Sequence, residues 1–364
     1  MSHSGPRAAD LATELPGTRF QRDFGKRVRV GVVGVGAHAY RTVLPTLNFL
    51  PAELIAVADA NLERATRTAL QFGVRAHGSL DEMLAHEQLG AVLLAVSPLD
   101  HPALAIAAFR AGVHVWMEKP AAATVTDIDA MIQSRGDRIA VVGYKKAFMP
   151  ATTKVAELVR THQLGSVRTA LAVYPLSVPL GDRAYINARN QSLWLANGCH
   201  PLSFLVTIAG PVRAVTTHRG RDDCGLVMLR HANGIITNLH LALGAAPSQP
   251  FERYIVFGEE RTVEVENSRR VRFQRGVPFG PDTMTFAPPG LESGAITWEA
   301  QDSMSTLECR SDATQGIQDG LDHFLTCVLA ERAPEIGTLE FARHLTQLHE
   351  AAILSDERPV EIRV

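Results

Sequence analysis

Cysteine is scarce in this chain. There are four, Cys199, Cys224, Cys309 and Cys327, and none forms a Cys-x-x-Cys pair. That spacing excludes a zinc ribbon and offers no disulfide framework, so the thiols read as reduced and the protein as cytoplasmic. Fourteen histidines are present, yet none stands in a His-Glu-x-x-His or similar ligand pattern, and no metal site is expected. Long apolar runs are missing too, so no membrane span is expected. Residues 1–25 are broken by Arg7, Asp10, Glu14, Arg19 and Asp23, which denies them the apolar core of a signal peptide. Residues 1–27 read instead as an N-terminal arm. Nor is there an excess of one charge: the formal net charge is -2, which gives no electrostatic case for nucleic acid. Internal repeats and low-complexity segments are absent. What remains is 46% hydrophobic and 20% charged over 364 residues, the balance of a globular protein with ample core and two domains.

The first half alternates strands and helices. Val28–Val33 is a valine-rich strand, followed at once by Gly34-Val35-Gly36 and an apolar-periodic helix to about Leu50. Two glycines there permit a tight turn and let backbone amides approach a pyrophosphate. The position of the third fingerprint glycine holds Ala39, which is still small. Glu53–Ala58 forms the next strand and ends in Asp59, roughly twenty residues beyond the glycines, where a carboxylate binds the adenosine ribose and repels a 2′-phosphate. NAD(H) is therefore expected over NADP(H), although Arg64 stands near. Asp59 alternatively reads as a cap for the helix Leu62–Phe72. Val74–His77 is a short strand, and Ser79 with Glu82 forms a capping box. Gly90–Val96 is a continuous apolar strand, followed by the loop Ser97–His101 and an alanine-rich helix ended by Gly112. Val113–Pro120 then presents Lys119 at the carboxyl end of a strand, the edge where open α/β sheets bind ligands. A helix from Thr124 and a strand at Arg138–Val142 complete a parallel, doubly wound Rossmann sheet over 28–148.

After Gly165 the composition shifts. Short strand candidates follow at Val167–Tyr174, Arg213–Thr217, Gly225–Arg230, Gly234–Leu243, Phe251–Phe257, Thr262–Val265 and Arg270–Phe273. They predict an α+β domain over 149–364 with a mostly antiparallel open sheet, one face covered by helices and one free. Asp282–Ser305 reads as loop. Thr314–Ala330 and Leu339–Ser355 read as terminal helices that pack back on the first domain, and Pro359–Val364 as a closing strand. Between them, Ser192–Ser203 contains His200 ahead of a short apolar helix, Phe204–Ile208.

The order of these features resembles the Gfo/Idh/MocA oxidoreductases, the glucose–fructose oxidoreductase and inositol dehydrogenase group. The resemblance rests on the glycine turn, Asp59, the loop ending in His101, the strand into Glu118-Lys119-Pro120 and the Gly143-Tyr144 strand end. It implies that the cofactor lies along Gly34, Val35, Gly36, Ala37 and His38, with Asp59 on the ribose. Ala95, Val96, Ser97, His101, Glu118 and Lys119 would line the rest of the cofactor path. It also implies that Lys119 and His200 serve proton transfer, and that Tyr144, Lys145 and Lys146 contact nicotinamide ribose or substrate. The family's Asp-x-Gly-x-His-x-x-Asp segment is altered here: Gly198 and His200 match, while Ala196 and Ser203 replace the acids. Trp194, Asn197, Tyr174 and Tyr185 are candidates to line a polyol or sugar pocket, since aromatic faces and amides suit C–H faces and hydroxyls. The expected protein is an NAD(H)-dependent dehydrogenase or ketoreductase acting on a secondary alcohol or ketone of a sugar, glycoside or cyclitol. The free sheet face, in this family, implies a homodimer or homotetramer. Two other readings stay open: a catalytically silent nucleotide-binding sensor or partner subunit, and a reductase of a non-sugar carbonyl.

Overall fold

The computed structural model describes residues 24–178, 194–246, 251–275, 294–300 and 315–363. Most of the expected N-terminal arm, Tyr185 and much of the expected loop 282–305 lie outside the described residues.

Among the described residues, six parallel strands form the first sheet: β1 (Val28–Val33), β2 (Ala52–Ala58), β3 (Arg75–His77), β4 (Ala91–Leu94), β5 (His114–Glu118) and β6 (Ala140–Gly143). Their order is β3-β2-β1-β4-β5-β6. All four residues of β4 are buried, as a continuous apolar run between two helical layers requires. The connecting helices Leu62–Phe72, Leu80–His86 and Val125–Arg135 begin at Asn61, Ser79 and Thr124, whose side chains each accept from the amide three residues on. Asn61 is therefore the cap of the helix Leu62–Phe72, and Asp59 is not. The strand order reverses between β1 and β4, which opens a crevice beyond their carboxyl ends.

The helix after β1 departs from the regular one expected. It is π-helical over Ala39–Val43, α-helical over Leu44–Thr46 and 3-10 over Leu47–Phe49. Pro45 has no N–H to give the carbonyl four residues back, and the ladder slips: the Leu44 amide reaches five residues back to Ala39.

The second sheet comprises, among the described residues, β7 (Thr169–Tyr174), β8 (Val212–Arg219), β9 (Gly225–His231), β10 (Ile236–Leu241), β11 (Arg253–Phe257), β12 (Thr262–Glu266), β13 (Arg270–Arg275), β14 (Gly294–Glu299) and β15 (Val360–Glu361). Their order is β14-β13-β12-β11-β7-β10-β9-β8-β15, antiparallel except where β7 meets β10. β14 falls inside the stretch read as loop. Its flanks are rich in Gly, Pro and Ser, but the segment itself alternates: Ile296 and Trp298 are half-buried, Ala295 and Thr297 exposed. Helices Pro150–Arg160, Cys199–Ala209 and Leu339–Leu354 pack on the inner face. On the other face Leu226, Met228, Ile236 and Phe257 are exposed.

The chain end returns to the first sheet. The helix Ile317–Leu329 packs on β6, and Leu339–Leu354 on Val125–Arg135. Two ion pairs join the latter helices, Arg343 to Asp129 at 2.6 Å and Arg135 to Glu340 at 2.9 Å. The Val142 amide donates to the Gly337 carbonyl at 2.7 Å, so the outer side of the edge strand β6 is covered. No helix of the described residues is long and apolar enough to cross a membrane.

Candidate active site

The crevice between β1 and β4 is a cleft of about 610 Å³. Gly34 makes the turn at φ +85°, and a Cβ there would lie 2.5 Å from the Ala95 carbonyl oxygen. Gly36 is different: a Cβ would meet nothing within 4 Å and would project toward the open cleft. Val35 is buried, and its amide donates to Oδ2 of Asp59 at 3.0 Å. Ala37 and His38 are exposed at the start of the following helix. Ala95, Val96 and Ser97 form the opposite wall. A glycine cradle, open helix start and buried carboxylate fit a dinucleotide. Leu99 and Asp100, in the loop expected along the cofactor, also line the cleft, as do Ser79 and Leu80, which were missed in the sequence. The signal for Ser79 and Leu80 was available, since they too follow the carboxyl end of a strand, β3.

Asp59 is 6% exposed and fully engaged. Besides Val35, the Asn61 amide donates to Oδ1 at 2.8 Å. Arg64 adds a two-pronged pair, Nε to Oδ2 at 3.1 Å and Nη2 to Oδ1 at 2.8 Å. Burial opposes the charge, but the Arg64 hydrogen bonds and the two amides outweigh it and hold the carboxyl below its usual range.

At the end of β5, Glu118 is buried and bridges two elements. Its Oε1 accepts from Nε2 of His38 at 2.8 Å, and its Oε2 from the Lys119 amide at 3.1 Å. The next peptide, Lys119–Pro120, is cis. Lys119 is half-buried and donates from Nζ to the Ala196 carbonyl at 2.9 Å. Ala196 belongs to a π-helical turn, Trp194–Gly198, that runs directly into the helix Cys199–Ala209. That helix is longer than the Phe204–Ile208 expected. Pro201 has no N–H, and it stands just past the point where the π-helical turn gives way to the α-helix.

His200 occupies the first turn of that helix and is 4% exposed. Burial lowers its pKa well below the ordinary histidine value, and Lys119, Lys145 and Lys146 push the same way. Among the described residues no group hydrogen-bonds its Nδ1. Ser203, at the second acid position, does not orient the ring; its hydroxyl donates to the His200 carbonyl at 2.8 Å. Tyr174 approaches the imidazole, with ring centroids 6.4 Å apart. Burial, reinforced by Glu252, pushes its phenol pKa up. Burial also pushes the Cys199 thiol up to about 11. Asn197 is half-buried in the turn beside them.

Other candidates are placed elsewhere. His101 is fully buried, and its Nδ1 donates to the Pro120 carbonyl at 3.1 Å, so it supports the Glu-Lys-Pro turn from behind. Tyr144 is 1% exposed and packs edge-on against Phe341, which leaves no surface for a ligand. Trp194 is 3% exposed; its ring stacks on His349 and lies where a Cβ of Gly198 would come within 2.6 Å. In each case the covering residue comes from a distant segment, the helix Leu339–Leu354, which local patterning does not reveal. Lys146 is 3% exposed and bound to Glu252 at 2.7 Å and Ser268 at 2.5 Å. Lys145 donates to Oε1 of Gln315 at 2.6 Å, and burial followed by Lys146 lowers its pKa. Among the described residues no group of His, Cys, Asp and Glu could hold a metal ion.

A nucleotide cleft at the switch point of a doubly wound sheet, with Lys119 at the end of another strand of that sheet and His200 in a helix packed on a second, mixed sheet, defines a dinucleotide-dependent oxidoreductase. Residues 28–148 match the oxidoreductase family with NAD-binding Rossmann fold, and residues 152–264 match the Gfo/Idh/MocA C-terminal domain. The chain belongs to the Gfo/Idh/MocA family. It is 25% identical over 333 residues to D-apiose dehydrogenase of Paraburkholderia graminis, covering 84% of this chain and 86% of that one. It is 29% identical over 204 residues to D-xylose 1-dehydrogenase (NADP(+)) 2 of Haloferax volcanii, covering 54% of this chain and 62% of that one. Among solved structures, levoglucosan dehydrogenase in complex with NADH and levoglucosan superimposes with a TM-score of 0.76 at 15% identity, over 92% of this chain and 99% of that one.

Proposed function

We propose that the protein is an NAD(H)-preferring dehydrogenase or ketoreductase of a secondary alcohol or ketone on a sugar, glycoside or cyclitol. The observation that carries this is the Lys119 ammonium, held against Ala196 at the head of the helix that bears His200. The sugar relatives support the substrate class. In this reading 28–148 bind the cofactor and 149–364 the substrate.

When bound, the nicotinamide accepts or returns the hydride. The protein supplies the proton chemistry. In the oxidative direction neutral His200 accepts the hydroxyl proton as the C–H and O–H bonds break and the carbonyl forms. Lys119 donates to the reacting oxygen and stabilises its developing negative charge. Tyr174 and Asn197 flank the substrate. Glu118 orients the turn through its bond to the Lys119 amide.

The test is a panel of neutral and modified sugars and cyclitols with purified protein and NAD⁺, read by the absorbance of the reduced nicotinamide. Turnover of at least one ring alcohol is expected. His200 must be neutral to act as base, and its pKa is lowered, so kcat/KM for oxidation should stay flat as pH falls through 6.5 and decline only below it. NAD binding without turnover of any member would instead leave the silent-sensor and non-sugar carbonyl readings.

The protein is also proposed to be a cytoplasmic homodimer or homotetramer through the second sheet. Leu226, Met228, Ile236 and Phe257 make an apolar outer surface there. Met228→Lys with Leu226→Lys should lower the mass found by sedimentation to that of one chain; an unchanged mass would place the contact elsewhere.

A further inference from the structure

Lys119 and its acceptor come from different halves of the chain. The lysine follows β5 of the first sheet, and Ala196 belongs to the turn Trp194–Gly198 ahead of the helix Cys199–Ala209. One hydrogen bond of 2.9 Å joins them. A lysine stem has many rotamers to lose, so a single acceptor fixes the ammonium only if that acceptor is itself fixed. Whatever holds the Ala196 carbonyl therefore holds the ammonium.

The turn is gripped through the Trp194 ring. The ring lies against Gly198, where a Cβ would come within 2.6 Å of it. It also stacks on His349, with centroids 6.2 Å apart and planes 21° from parallel. His349 belongs to the helix Leu339–Leu354, which is tied to both halves. Arg343 pairs with Asp129 of the helix Val125–Arg135 at 2.6 Å, and the Thr217 hydroxyl of β8 donates to the Ala352 carbonyl at 2.8 Å. Pro120, Trp194, Cys199 and His349 line one cavity of about 10 Å³, room for no more than a single water. The imidazole therefore sits in close packing beside the residue that follows Lys119, and its loss would let the indole tilt.

His349 itself is 4% exposed, and among the described residues neither of its ring nitrogens has a hydrogen-bond partner. Burial pushes its pKa down to about 4, so the ring is neutral at ordinary pH. A buried polar ring without partners is unusual and calls for a reason. The imidazole serves here as neither donor, acceptor nor charge. What it offers is a flat face to the indole.

We propose that His349 is a positioning residue for Lys119: through the Trp194 ring it fixes the turn whose Ala196 carbonyl holds the ammonium. Its bearing on turnover rests on the dehydrogenase reading, in which Lys119 does chemistry; its bearing on the ammonium does not.

The experiment is trace acetylation of the full chain with acetic anhydride, without any substrate, read lysine by lysine by mass spectrometry. Wild type, His349→Ala and His349→Phe are compared. Exposed Lys26 is the internal standard, and Lys146, 3% exposed, reports unfolding. In His349→Ala, Lys119 should react at least about threefold faster while Lys146 stays as slow as in the wild type. His349→Phe restores the flat face and should keep Lys119 within about twofold of wild type. In turnover, His349→Ala should lower kcat by about tenfold, leave NADH affinity within about twofold, and have no further effect in a Lys119→Met background. Unchanged Lys119 reactivity in His349→Ala, or equal release in His349→Phe, overturns the proposal. So does a fall in kcat by the same factor with and without the Lys119 ammonium. If His349→Ala exposes Lys146, His349→Leu, which keeps the volume and lacks the flat ring, takes its place with the same expectation. Full turnover by Lys119→Met, with Lys119 released in His349→Ala, removes the chemistry of Lys119 and leaves the positioning standing.

Discussion

Lys119→Met should lower kcat/KM for alcohol oxidation by about a thousandfold while NADH affinity changes by less than about threefold. The ammonium follows the end of β5, and it is held by a neutral acceptor, the Ala196 carbonyl. A carbonyl positions the ammonium without neutralising it, so its full charge remains available to an oxygen that turns negative in the transition state. Methionine keeps most of the stem and its packing, and removes the donor. The cradle at Gly34 and Gly36 and the carboxylate of Asp59 lie on other strand ends and are untouched. Steady-state kinetics and NADH titration on the same preparation separate the two effects. Turnover within tenfold of wild type would remove Lys119 from the chemistry.

Gly34→Ala should abolish nucleotide binding and cost about 2 kcal/mol or more of stability. Gly34 has φ +85°, unfavourable for alanine, and its added Cβ would lie 2.5 Å from the Ala95 oxygen and 2.7 Å from Cγ1 of Val96. The first of those contacts is backbone in the loop after β4, and no rotamer change relieves it. The turn or that loop has to move, and both walls of the cleft move with them. Gly36→Ala is the control. With no atom within 4 Å of its Cβ, it should unfold at the wild-type temperature, yet place a methyl where the nucleotide approaches and weaken NADH. Thermal unfolding and NADH titration distinguish the pair. Equal melting temperatures for the two variants would mean that the Gly34 turn relaxes freely.

The parts legible in the sequence were those written in local pattern. Valine content marked β1, periodicity marked the helix Leu62–Phe72, and the glycine turn with Asp59 marked the crevice. Glu-Lys-Pro after an apolar strand located Lys119 at a carboxyl edge. What escaped depended on partners far away in the chain. The burial of Tyr144 and Trp194 comes from the helix Leu339–Leu354. The partners of Lys146 are Glu252 and Ser268, over a hundred residues on. The π-helical slip before Pro45 was locally written, but a proline within an apolar-periodic run reads as a helix either way. Arg64 was visible as a neighbour of Asp59; that it closes both oxygens follows only from the geometry of the helix cap.

The contact between Lys119 and residue 196 has a consequence for how this site changes over generations. A contact made by a side chain can be lost by a single base change. Here the acceptor is a main-chain carbonyl, an atom every amino acid carries. No substitution at position 196 deletes it, provided the turn keeps its shape. The side chain there is thereby released from any duty toward the lysine and is free to drift in size and polarity. The contact depends instead on what holds the turn: Gly198, which makes room for the Trp194 ring, and the packing of that ring on His349.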